Sequence, residues 1–176
     1  MNIRQVDLST GKMVNTIFER SKSDFTLTDI TTKKTINQSA AFDNIFADAS
    51  YPTGTFVAAA AFDQRSNKLF FTPMRKGELR WLDLNAAGAH SFYSLPLSNF
   101  KATDPNDEAT NITRMVIGAN GYGYALSNDA NHFFRFTTGK NPVIEDLGNI
   151  IDADVNKGMS IHNRCSCWGG DIIADA

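Results

Sequence analysis

Two stretches near the C-terminal end hold residues whose types and spacing could do chemistry. In Asp152-Ala153-Asp154-Val155-Asn156-Lys157-Gly158 the oxygen-bearing residues Asp152, Asp154 and Asn156 alternate as they do at the start of a calcium-binding loop. Glycine stands one position later than in such loops, and Asn163 occupies the place where a bidentate carboxylate would close the site. The segment therefore reads as an acidic surface loop, with calcium as the alternative. Just beyond it, His162, Cys165 and Cys167 form H-x-x-C-x-C. A structural zinc site draws on about four ligands in paired spacings, and no fourth ligand is evident, so cysteines packed beside Trp168 are the simpler reading. A Cys-His nucleophile pair would need a third, orienting residue, and the sequence identifies none. There is no G-x-S-x-G, no P-loop and no helix-opening G-x-G-x-x-G; Gly121-Tyr122-Gly123 belongs to a β-turn.

The elements that must position such residues are strands. Thirteen phenylalanines, many paired or alternating, suit a pleated and partly buried surface better than a helix. The 176 residues are 42% hydrophobic and 20% charged, a globular composition with enough chain for a sizeable core. A net charge of −2 with scattered Lys and Arg lacks the basic stripe of a nucleic-acid binder. No apolar run approaches the ~18–20 residues that span a bilayer as a helix, so no membrane span is expected. The opening residues MNIRQVDLSTGK have neither the basic n-region nor the apolar h-region of a secretory signal.

Read in order, residues 3–18 give two short strands around Ser9-Thr10-Gly11-Lys12, a hairpin. Residues 19–52 have a looser pattern and read as an insertion or edge segment, with FTLTDITTKKTI alternating like an exposed strand pair. From 55 to 95 four strands follow one another. The first alternates Phe56, Ala58, Ala60 and Phe62 with Val57, Ala59 and Ala61, so it is expected to be buried on both faces. The same order of runs and turns recurs over 112–147 and begins again at 165–176. The ends of the first strands, Asp63, Ala119 and Asp175, fall at equal spacing, giving a period a little above ~50 residues. Trp81, Phe70-Phe71 and Phe133-Phe134 are expected in the core between these units.

The turns and strand ends VDLSTGK, AFDQRSNKLFFTP and RWLDL resemble blades of the broad β-propeller class that includes the NHL, YVTN and SMP-30-like families, and uncharacterised propellers of bacterial envelopes. The resemblance covers about residues 3–8 and 55–176. It implies an all-β fold, a partial propeller of four-stranded antiparallel blades, with a small β-sandwich as the structural alternative. A closed ring takes roughly four to eight blades, so this count implies a portion of a longer chain whose remaining blades are its neighbours. The resemblance also implies a periplasmic, envelope or extracellular setting if a leader precedes these residues.

In such a blade the connections alternate between two rims. The short turns fall on one, and the longer connections, 73–77, 99–111, 128–131 and 152–164, on the other. Longer loops on a rigid scaffold are where recognition concentrates. The polar members of that rim, Arg75, Lys76, Asn128, Asp129, His162 and Arg164, are the expected contacts for a protein or glycan partner in a non-enzymatic binding scaffold. The competing expectation is a metal-dependent lactonase or hydrolase of SMP-30-like type. It needs acidic first-strand residues at the axis, where these strands carry Ala, Val and Arg114.

Overall fold

The computed structural model describes residues 2–19, 22–36, 52–54, 56–97, 104, 106–156 and 171–175. Expectations for His162, Arg164, Cys165, Cys167, Trp168 and the 37–51 segment lie outside them. The fold is all-β and built from three sheets. β1 (Asn2–Val6) and β2 (Met13–Glu19) form a hairpin. β3 (Phe25–Asp29), β4 (Val57–Asp63), β5 (Lys68–Pro73), β6 (Glu78–Asp83) and β7 (His90–Pro96) form a five-stranded sheet in the order β3-β7-β6-β5-β4. β8 (Ile112–Ile117), β9 (Tyr122–Ser127), β10 (His132–Thr137) and β11 (Ile144–Asn149) form a four-stranded meander. Every pairing is antiparallel except β3 with β7. Residues 171–175 join no sheet.

One turn design recurs at three strand ends. Asp7, Asp29 and Asp63 each accept, through Oδ1, the backbone N–H two residues on, from Ser9, Thr31 and Arg65. Four residues on, Gly11, Lys33 and Asn67 all turn the chain with positive φ, at 67°, 59° and 52°. A lysine then opens the return: Lys12, Lys34 and Lys68. The carboxylate satisfies amides that the turn takes out of the ladder, which is why Asp at the strand end specifies it.

The five-stranded sheet packs against other elements on both faces. One packs Ala59, Phe70, Leu79 and Trp81 against Met115, Ala125, Phe134, Phe136 and Ile144 of the meander. The other packs Phe71, Leu82 and Phe92 against Leu27 of β3 and Phe18 of the hairpin. Phe18 sets the hairpin's position, lying edge-on to Phe92 at 5.2 Å, His90 at 5.8 Å and Phe25 at 5.9 Å. The segment expected as an exposed strand pair is thus a single strand, β3, with an isolated bridge between Thr28 and Thr35, and Leu27 is buried because the hairpin covers it. β4 also departs from expectation. Its Ala59 and Ala61 face the meander, but Phe56 and Phe62 are about half-exposed, at 53% and 50%. Val57 of β4 packs against the cluster that contains Phe18, whereas Phe62 near the strand's other end stays half-exposed.

Between the sheets the contact turns on one vacancy. Gly123 of β9 sits directly opposite Phe136 of β10, whose ring lies across the glycine, and a Cβ built there would fall inside that ring. Phe136 in turn meets Phe70 of the facing sheet at 5.2 Å, and Phe70 meets Trp81 at 5.8 Å. A large aromatic laid over a strand glycine fills the space that its missing side chain leaves. Gly123→Ala should cost about 3 kcal/mol, at the upper end of overpacking effects. Urea denaturation of Gly123→Ala, Phe136→Ala and the double variant checks this: most of the alanine's cost should vanish once Phe136 is gone. A single variant as stable as the parent would show that the ring does not hold this position.

Candidate functional site

The longer connections of both large sheets meet on one rim. Pro73 closes β5, and Arg75, with φ of 56°, turns the chain back into β6. Between β7 and β8 a 3-10 turn, Glu108–Thr110, is capped by Asp107, whose side chain accepts the Ala109 N–H at 3.0 Å. This turn gathers the loops. Arg75 pairs with Glu108, the Asp129 N–H donates to the Ala109 carbonyl at 3.0 Å, and the Asn128 N–H donates to the Asn111 carbonyl at 2.8 Å. From β8, Arg114 donates to the Ser127 and Asn128 carbonyls, both at 3.2 Å. Asp129 accepts the Ser127 hydroxyl at 2.5 Å and both the backbone and side-chain N–H groups of Asn131. Burial pushes its carboxyl up, but these donors outweigh it and hold the group below the usual range.

Four of the six expected rim residues, Arg75, Lys76, Asn128 and Asp129, are therefore on this rim, and the first, third and fourth are linked through residues 108–111. The calcium candidates follow β11, which ends opposite His132, and the Ile150 N–H donates to the Asn131 carbonyl at 2.8 Å, so they leave the meander beside the 128–131 loop. Asp154 and Asn156 are exposed in a 3-10 turn, Asp154–Asn156, with Asp152 half-buried before it. Among the described residues no group of three or more His, Cys, Asp or Glu is placed to hold a metal ion.

At the opposite rim the two large sheets are clasped by charge. Arg65 of the β4–β5 turn donates to the Ala119 and Gly118 carbonyls of the β8–β9 turn at 2.8 and 2.9 Å. The buried Lys68 ammonium donates to the Thr138 and Gly139 carbonyls at 3.3 and 2.5 Å. Asp63, 1% exposed, accepts from Arg65 and from the Ser66 hydroxyl at 2.7 Å. Burial alone would raise its carboxyl, but hydrogen bonds from Thr138, Ser66 and Arg65 lower it from 3.8 to about 2. None of this was legible as function in the sequence, and its role is to hold the sheets together.

A third feature escaped the sequence reading altogether. Between the hairpin and the uncovered part of the five-stranded sheet lies a cleft of about 690 Å³. Phe62 and Leu69 line it from the sheet, Arg4 and Gln5 from β1, Asn15 from β2, and His90 from the start of β7. Phe62 and Leu69 read in the sequence as ordinary strand residues, and only the long-range seat of the hairpin leaves them at an open cleft. Compared with known proteins, the chain matches no family model, no curated protein and no solved structure at a significant level.

The electrostatics of Asp63 set a pH dependence. A carboxyl lowered by folding adds stability above its unfolded value, near 3.9, and loses it as pH falls towards 2. With a folded value of about 2 the contribution is about 2 kcal/mol at neutral pH. Asp63→Asn should unfold at lower urea than the parent at pH 7, with the gap narrowing from pH 4 down to pH 2.5. A gap that stays constant across that range would mean that the ionised carboxylate carries no stabilising role.

Proposed function

We propose that this chain is a portion of a β-propeller that serves as a non-enzymatic binding scaffold and presents the rim of longer loops to a protein or glycan partner. Three arrangements support the propeller reading. The two larger sheets each contain a four-stranded antiparallel meander, they pack face to face, and their first strands, β4 and β8, lie against each other. Asp63 and the Asp83-Leu84 pair, which carry the resemblance to propeller blades, sit at strand ends. The envelope or extracellular setting which that resemblance implies suits a recognition scaffold.

The observation that carries the binding reading is the fastening of 73–78, 107–111 and 127–132 to one another across both sheets. Loops whose backbone is already fixed lose little conformational freedom on association, so more of the contact energy appears as affinity. The rim also offers mixed chemistry for a polar ligand: cationic Arg75 and Lys76, the carboxylates of Asp107 and Glu108, and the Asn128 amide.

Screening the full chain against an oligosaccharide array and a displayed-peptide library tests the reading. A ligand found there should bind the Arg75→Glu, Lys76→Glu double variant at least tenfold more weakly, with most of the loss in association rate and steeper at low salt. Unchanged affinity in that variant would overturn the assignment. So would ester or lactone hydrolysis that depends on a stoichiometric divalent ion and is lost on chelation.

A further inference from the structure

We infer that the cleft between the hairpin and the five-stranded sheet is a second recognition site, one that binds a short neutral oligosaccharide. The inference does not rest on the loop rim or on the propeller reading. Its first support is an aromatic platform. Phe62 lines the cleft and is 50% exposed, directly opposite Leu69 of β5, and Leu84 adds a further apolar side chain to the lining. A sugar ring presents C–H groups from one face, and these pack on the electron-rich face of an aromatic ring while the hydroxyls point out from the ring's edge.

The second support is a set of polar groups with capacity to spare. Gln5 and Asn15 stand directly opposite each other in the hairpin ladder, and both line the cleft. Among the described residues neither side-chain amide makes a hydrogen bond. Asp83, at the end of β6, takes the backbone and side-chain N–H groups of Asn85 on Oδ1, at 2.9 and 3.0 Å, which leaves Oδ2 as an acceptor. A hydroxyl both donates and accepts, so a polyol can pair with the amide oxygens, the amide N–H groups and the carboxylate alike.

Charge and size narrow the ligand. Arg4 and Asp83 place opposite charges in the same lining, so a ligand with net charge of either sign meets one of them unfavourably, whereas a neutral one does not. A nucleobase would also stack on Phe62, but its edge carries a fixed pattern of donors and acceptors, and a phosphate attached to it would face Asp83. At about 690 Å³ the cleft lies within the ~300–1,000 Å³ of small-molecule sites, and it shares their combination of an apolar surface with a few polar groups that fix orientation.

The probes are three neutral trisaccharides, maltotriose, cellotriose and N-acetylated chitotriose, with trigalacturonate and adenosine as the charged and the heterocyclic alternatives. Titration calorimetry with the full chain should show saturable binding of at least one neutral probe. That affinity should fall at least tenfold in Phe62→Leu, which keeps an apolar side chain but removes the ring, and at least tenfold in the Gln5→Ala, Asn15→Ala double variant. All three positions are exposed, so these changes leave the core untouched. Lys140→Ala, at an exposed position beyond β10, should bind as the parent does. In the parent, the amide resonances of residues 5, 15, 62 and 69 should shift as the bound sugar saturates the site. No binding by any neutral trisaccharide would overturn the inference, as would tighter binding of trigalacturonate or adenosine than of all three. Undiminished binding in Phe62→Leu would also overturn it, by placing the sugar elsewhere, the loop rim included.

Discussion

The architecture depends on a steric vacancy at Gly123. Two sheets can face each other closely only where one of them yields space for the other's bulk, and here β9 yields it. The ring of Phe136 lies over the glycine, and that ring is what Phe70 of the other sheet meets. The chain of aromatics then runs on through Trp81 to Tyr93, which stack at 5.4 Å, so a single position without a side chain settles the depth of the whole central core. Burying rings of this size is worth about 2–3 kcal/mol each, far more than any surface contact in the molecule supplies.

Polar bonds fix the register of that contact without driving it. At one rim Arg65 and Lys68 end on four carbonyls of the meander's turns; near the other the Thr72 hydroxyl donates to the Ile112 carbonyl at 2.9 Å. Apolar faces alone would slide over each other, and these directional bonds at both ends select one alignment. A related anchor holds the 52–54 segment. Buried Arg80 binds Glu78 at 2.7 Å and also the Pro52 carbonyl at 2.7 Å, and Ser94 donates to the same Glu78. Burial pushes the Glu78 carboxyl up, but Arg80 and Ser94 hold it lower, so the pair stays ionised inside the protein.

Local chemistry was the legible part of this sequence. Strands announce themselves in runs such as KLFFTP and HFFRF, and turns in Ser9-Thr10-Gly11-Lys12, Asn120-Gly121 and the Asp63–Asn67 stretch, because an aspartate at a strand end and a residue tolerant of positive φ act within a few residues of each other. The all-β class follows from those local signals. What was not legible depends on distance along the chain. Nothing in FTLTD says that it will lie parallel to His90–Pro96, and nothing in Phe18 says that it will sit on β7 and leave Phe62 half-exposed. The same holds for function: alternating connection lengths placed Arg75, Lys76, Asn128 and Asp129 on one side, whereas the cleft exists only because of where a separate hairpin comes to rest.

The parallel pairing of β3 with β7 has a bearing on how the molecule assembles. Each meander closes through hairpins of near neighbours, which form quickly, but β3 has no template until β4 to β7 have completed their sheet. It must wait, and the hairpin, whose Phe18 packs against Phe25 of β3, must wait with it. The hairpin and β3 are thus the elements whose packing requires the β4–β7 meander to be in place. The cleft that the hairpin borders exists only where that packing is complete.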